Sequence, residues 1–112
     1  MKLQIEGQHL RVRIGEEELA QLLAGEAIAS RTRFGRAFAL ACTLRLGAGV
    51  EVSGSAGDWQ VVLPDAAVRE HATRLPTREG LGFRLAGEGG KDELELLFDV
   101  DVRDSVRQRR PH

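Results

Sequence analysis

Alternation of apolar and polar side chains with a two-residue period runs through most of this 112-residue chain. It is strongest at residues 37–46, AFALACTLRL, where Phe38, Leu40 and Leu44 share one side with two further apolar residues. Three alanines occupy most of the other side. The pattern predicts a central strand whose large side chains fill the core, while its alanine side leaves room for a covering helix.

Two shorter alternating runs lie near the N-terminus, on either side of Gly7-Gln8. A two-residue loop that begins with Gly is typical of a tight hairpin, because Gly adopts positive φ without strain. The resulting register places Ile5 opposite Leu10 and Leu3 opposite Val12. All four apolar side chains then share one face.

A second hairpin is predicted to lead into the central strand. A three-residue loop at 35–37 places Phe34 opposite Phe38 and Ile28 opposite Leu44, whereas a two-residue loop would set an arginine against Phe38. We therefore favour the longer loop, and the central strand then begins at Phe38.

Two short helices complete the pattern. Acidic residues at the first turn open one helix over about 16–24, and a second runs from Ala66 to about Leu75 with Asp65 as its N-cap. The remaining predicted strands are 27–34, 50–55, 59–63, 81–85 and 93–102.

The predicted fold class is α+β, with about eight short, mostly antiparallel strands and two short helices in the order ββαββ-ββαββ. A small Sm-like β-barrel variant is the alternative. The halves divide near residues 47–49, and this layout predicts two helices of similar length related by an approximate dyad.

Length and charge limit the range of functions. We expect one globular domain at 1–102, followed by a flexible basic tail at 103–112. Sixteen basic and seventeen acidic residues give a net charge of −1, so no overall field attracts nucleic acid or an anionic membrane. Without a long apolar window or a signal-peptide pattern, we expect a cytoplasmic protein with no membrane partner.

The strongest basic cluster contains Arg31, Arg33 and Arg36, beside Phe34. Arginine grips phosphate bidentately and stacks on bases, so this cluster is a candidate surface for single-stranded nucleic acid. The alternative is a solvated strand edge whose charges discourage edge-to-edge pairing. Trp59 has two interpretations, packing in the core or at its rim, and an exposed contact for a partner.

An acidic stripe follows one side of the last strand, formed by Glu93, Glu95, Asp99 and Asp101. Arg11 and Arg13 form a matching basic row. We expect the first hairpin to lie beside the last strand, so that the two rows neutralise one another; an enzyme site on the stripe is the alternative. Cys42 is expected to be a small buried residue, and no catalytic residue, metal site or cofactor is predicted.

The opening residues MKLQIEGQHLRVRIGEEELAQL resemble an uncharacterised family of small bacterial proteins that begin M-K-[LI]-x-I-x-G-x-x-L-R-x-R-[LI] and continue into an acidic helix start. The similarity extends through RTRFG at 31–35, VVLPDAAVREHA at 61–72, EGLGF at 79–83 and LELLFDVD at 94–101. The family's last strand carries Lys and Cys in an E-K-D-F-x-C-L pattern, where this chain has Asp99, Val100 and Asp101. The resemblance implies a small bacterial protein and brings no activity with it.

The favoured interpretation is a small soluble bacterial domain with a non-catalytic binding or interaction role. It would bind a protein partner or self-associate, through a sheet edge or an apolar patch around Trp59. The first alternative is a domain that binds RNA or single-stranded nucleic acid through Arg31, Arg33, Arg36 and the basic tail. The second is an enzyme that uses the acidic stripe.

Overall fold

The chain folds as two successive ββαββ halves, which the computed structural model describes over residues 1–102; the basic tail predicted at 103–112 lies outside the described residues. The first half contains β1 (Lys2–Glu6), β2 (His9–Gly15), α1 (Glu16–Leu23), β3 (Ile28–Phe34) and β4 (Phe38–Gly47). The second half contains β5 (Glu51–Ser55), β6 (Asp58–Pro64), α2 (Asp65–Thr73), β7 (Leu81–Leu85) and β8 (Leu94–Asp101), with a 3₁₀ turn at Glu88–Gly90.

The strands form two four-stranded sheets, and each sheet takes one hairpin from each half. Sheet I has the order β1-β2-β8-β7 and sheet II the order β3-β4-β6-β5. The four hairpin pairings are antiparallel, whereas the central contacts of β2 with β8 and of β4 with β6 are parallel. The predicted α+β class is confirmed, as two open mixed sheets over residues 1–102 and not the closed barrel of the alternative.

An internal pseudo-dyad relates the two halves. Val12 pairs with Phe98 at the centre of sheet I, and Val61 pairs with Leu44 at the equivalent place in sheet II. The helices have similar lengths, eight residues for α1 and nine for α2. The dyad therefore identifies, for each position in one sheet, the position in the other sheet that has the same place in the strand order and register.

The core lies between the sheets and includes side chains of both helices. Val12, Leu44, Val61 and Phe98 are fully buried in one cluster with Leu22 of α1. The expectation that α1 covers the alanine side of the central strand is wrong. Leu22 packs on the Leu44 side, because the inner faces of both sheets need cover there, and the alanines face outward.

Both predicted hairpin registers are confirmed. Ile5 lies opposite Leu10 in the β1–β2 hairpin, where Gly7 adopts a positive φ of 57°, and Phe34 lies opposite Phe38 in the β3–β4 hairpin. The burial expected of Phe38, however, is wrong, because its side chain is 60% exposed.

The exposure of Phe38 has a simple geometric cause. Strand β6 begins at Asp58, which pairs with Ala41, so residues 38–40 extend past the end of their neighbour. The β3–β4 hairpin therefore continues as a two-stranded ribbon beyond the rest of sheet II, and we refer to this ribbon as the hairpin tip.

The second helix begins and ends earlier than expected. Asp65 is its first residue, and Pro64, in extended conformation, occupies the N-cap position. The Asp65 carboxylate does not cap the helix; it accepts hydrogen bonds from Arg69 Nε at 3.0 Å. The helix ends at Thr73, before the predicted Leu75.

Candidate functional site

Four arginines belong to the β3–β4 hairpin. Arg31 and Arg33 project from β3 on the side opposite Ile28, Arg45 projects from the same side of β4, and Arg36 lies in the turn. All four are exposed. We call them the arginine face; the small residues opposite Arg33 and Arg31 in the ladder are Ala39 and Ala41.

The arginine face has no acid on its own hairpin, although Asp58 of β6 and Glu51 of β5 lie on the same side of sheet II. Residues 27–50 contain no Asp or Glu. Within residues 1–102 none of its four guanidinium groups makes an ion pair, and Arg33 Nε only donates to the Gly35 carbonyl at 3.0 Å. Ion pairs with acidic side chains are made instead by Arg11, Arg13, Arg69, Arg74 and Arg84. The hairpin therefore carries local positive charge on a chain of nearly zero net charge.

At the position in sheet I that is equivalent to Arg31, an arginine is paired with carboxylates. Arg84 lies opposite Glu95 in the β7–β8 ladder, with Nη2 at 3.6 Å from Glu95 Oε1 and Nη1 at 3.8 Å from Glu93 Oε1. Its counterpart under the pseudo-dyad, Arg31, lies opposite Ala41. The backbone geometry thus accommodates a neutralising acid at this position, and sheet II has alanine there instead.

Side chains of the neighbouring strands contact the acidic stripe. Arg11 Nε donates to Asp99 Oδ2 at 3.0 Å, and Arg13 Nε lies 4.0 Å from the same oxygen. His9 Nδ1 lies 2.8 Å from Glu95 Oε2. This confirms that the first hairpin lies beside the last strand; of the acidic stripe, Arg11 and Arg13 contact Asp99. Asp101 also makes a polar or electrostatic contact.

An open trough of about 860 Å³ crosses the outer face of sheet I. Gly82 and the partly exposed Leu97 lie side by side along it. His9, Glu95 and Arg84 all line it, and Glu95 contacts both of the other two. Glu6 also lines the trough and makes no ion pair within residues 1–102.

Two exposed aromatic rings mark the hairpin tip. The rings of Phe34 and Phe38 are stacked with centroids 4.8 Å apart, and the side chains are 46% and 60% exposed. By strand alternation they lie on the face of the ribbon opposite Arg33. The tip thus has a basic side and an aromatic side.

Trp59 lies apart from the arginines. It pairs with Cys42 on the inner side of sheet II, is half-buried against the core, and its Nε1 donates to the Ala56 carbonyl at 2.8 Å. One edge of the ring lines an apolar groove of about 460 Å³, which Ile5 and Val52 also line. The structure thus brings Arg31, Arg33 and Arg36 together but does not join Trp59 to them.

Other reactive side chains are enclosed. Cys42 is buried, as expected, and its burial, together with the negative charge of Asp58, raises the pKa of its thiol. His71 is also buried, with its ring 6.5 Å from that of Phe98 in an edge-on arrangement. In residues 1–102 we find no cluster of His, Cys, Asp or Glu that could hold a metal ion.

No protein-family model matches this sequence, and no curated protein matches it. The site is therefore interpreted from its own geometry.

Two features of the candidate site were missed in the sequence: Arg45 as a member of the basic cluster, and the exposure of Phe38. The two-residue period already places Arg45 on the alanine side, and this was the signal by which it could have been found.

Along 1–102, no helix is both long enough and apolar enough to cross a membrane.

Proposed function

We propose that this protein is a non-catalytic binding domain that holds an anionic chain on its arginine face. The observation that carries the proposal is the contrast between the two sheets. Arg84 on sheet I is neutralised by Glu95 and Glu93, whereas Arg31 and its neighbours on sheet II have no acidic partner in residues 1–102. Unbalanced arginines on an accessible face are suited to phosphate or carboxylate groups.

The small side chains between the arginines support the same conclusion. Ala39 and Ala41 lie opposite Arg33 and Arg31, so a ligand can approach the strand backbone without meeting a bulky side chain. Within residues 1–102 the fold also holds these guanidinium groups weakly, because only Arg33 makes a hydrogen bond there, and that bond is to a turn carbonyl. Because the net charge is −1, attraction acts only near the hairpin and is sensitive to salt.

The acidic stripe supports the non-catalytic part of the proposal. A catalytic carboxylate normally needs a cleft and a free face toward substrate, whereas Asp99 is held by Arg11 and Glu95 by His9. These contacts are typical of a sheet face on which the carboxylates have partners within the fold. The proposal also includes the cytoplasmic location and the bacterial family suggested by the sequence, neither of which assigns an activity.

The test uses a fluorescein-labelled abasic phosphodiester chain, which carries phosphates but no bases, in anisotropy titrations at low salt. We expect the double variant Arg31→Gln/Arg33→Gln to bind about fivefold or more weakly than the parent protein. Arg78→Gln is the matched control, because Arg78 is also exposed and without an acidic partner in residues 1–102 but lies outside the hairpin. No binding by the parent protein, or equal loss in the control, would contradict the proposal.

Self-association is a second candidate, favoured by the groove beside Trp59. Ile5 is 60% exposed at its rim and Val52 is 36% exposed, so a second copy of the chain would cover apolar surface there. Light scattering across a concentration series would detect the dimer, and Trp59 emission should shift to shorter wavelength as it forms. Ile5→Gln should abolish both effects. A strict monomer at all concentrations would reject this candidate.

A further inference from the structure

Resting on the proposed function of the arginine face, we propose that the anionic chain it holds is single-stranded nucleic acid, whose bases stack on Phe34 and Phe38 at the hairpin tip. The arginines account for the charge of the ligand. The two exposed rings have no part in the proposed function, and they indicate the chemical class of the ligand.

The rings are exposed because of how the hairpin is built. Strand β6 pairs with β4 only from Ala41 onward, so the hairpin tip extends past the sheet, and the Phe38 side chain is 60% exposed. The Phe34 and Phe38 side chains are 46% and 60% exposed, and their rings stack on each other. Their outer faces remain available for a flat aromatic group.

A single strand can reach both faces of the tip at once. Strand β3 is an edge strand, and therefore no neighbouring strand blocks its outer side. Arg33 and Phe34 are successive residues on this edge and project to opposite faces. A nucleotide strand that runs along the edge of β3 can therefore set phosphates against the guanidinium groups and turn its bases onto the rings.

Other anionic ligands use only part of this surface. An acidic peptide would pair with the arginines but has no repeated flat ring for Phe34 and Phe38, and in a duplex the bases are stacked on each other and turned inward. Stacking on phenyl rings is tolerant of base identity because every base has a π face. We therefore expect binding with little sequence preference.

The experiment compares two labelled chains of equal phosphate number, oligo(dT) of about twelve nucleotides and its abasic counterpart, in low salt with the full-length protein. We expect oligo(dT) to bind about fivefold or more tightly. The double variant Phe34→Leu/Phe38→Leu should remove this advantage and leave abasic binding unchanged. Thermal unfolding confirms that the variant is folded, and the comparison of the two ligands on the parent protein does not depend on it.

The outcomes separate this inference from the proposed function. Equal affinity for the two chains overturns the stacking inference and leaves the anion-binding proposal standing, whereas binding of neither chain overturns both. Polyglutamate of equal charge that competes as well as oligo(dT) would identify an acidic-protein surface and contradict the inference. So would a leucine variant that alters the oligomeric state but not the affinity for oligo(dT).

Discussion

Arg31 lies opposite Ala41 in the β3–β4 ladder and makes no ion pair within residues 1–102, although Asp58 of β6 lies on the other side of Ala41. The pseudo-dyad makes this relationship informative, because the same backbone setting in sheet I holds Arg84 opposite Glu95. The two halves thus share one architecture and differ in the charge balance of their outer faces. A structural requirement common to both halves does not explain that difference, whereas the proposed ligand on sheet II would.

Salt dependence should report how many arginines contact phosphate. Four contacts to a single strand predict that log K falls with log salt concentration with a slope of about −2.8, from about −0.7 for each neutralised phosphate. Arg31→Gln/Arg33→Gln should make the slope shallower by about 1.4. Anisotropy titrations at several salt concentrations measure it. An unchanged slope in the double variant would place the contacts elsewhere.

The Asp99 carboxylate should stabilise the fold through its two arginine partners. Asp99→Asn removes the acceptor of Arg11 and the counter-charge of Arg13, and we expect it to lower the free energy of unfolding by about 1–2 kcal/mol. Asp92→Asn, the same chemical change at an exposed loop position, should cost almost nothing. Urea denaturation compares the two variants, and equal stabilities would show that the cross-strand network contributes nothing measurable.

Glu18 should make stability depend on pH below neutrality. Partial burial acts to raise the pKa of Glu18, but hydrogen bonds from the Met1 amine and the Gly15 N–H, with the charge of that amine, outweigh it and lower this pKa. Because the pKa is lower in the folded state, the stabilisation is present above the ordinary carboxyl pKa and disappears as pH falls through the lowered value.

We therefore expect Glu18→Gln to cost about 1 kcal/mol at pH 7 and progressively less in acid. Glu17→Gln on the same helical turn is the control, since Glu17 is exposed and makes no hydrogen bond or ion pair in residues 1–102. Urea midpoints across the acidic range test this. A cost that stays constant down to pH 2 would be inconsistent with a lowered pKa.

Unfolding should be a single cooperative transition. Neither half can complete a sheet alone, because each sheet joins a hairpin of one half to a hairpin of the other through a parallel central contact. Trp59 fluorescence reports sheet II, and far-UV circular dichroism reports the whole chain. The two urea curves should coincide, and separate midpoints would indicate that the halves unfold independently.

Local pairing can be predicted from this sequence because alternation and turn length determine it. The registers of Ile5 with Leu10 and of Phe34 with Phe38 follow from these two features alone. The parallel contacts between β2 and β8 and between β4 and β6 cannot be predicted in the same way. They join segments far apart in the chain, and alternation looks the same beside a parallel or an antiparallel neighbour.

Burial at the end of a strand is also beyond the local pattern. Alternation correctly places Phe38 on the side of Leu44, but whether a side chain there is covered depends on how far β6 extends, and β6 begins only opposite Ala41. The candidate site has the same limitation. The cluster of Arg31, Arg33 and Arg36 is visible in sequence, but only the comparison with sheet I shows that Arg31, unlike Arg84, makes no ion pair within residues 1–102.

The most direct test of the account places a carboxylate where sheet I has one. Ala41→Glu sets an acid opposite Arg31, as Glu95 stands opposite Arg84, and Ala41→Gln is the uncharged control of equal size. In oligo(dT) titrations at low salt, the account predicts about fivefold weaker binding for Ala41→Glu, with the Gln variant unchanged and both proteins folded. Equal affinity of the parent protein and both variants would contradict it.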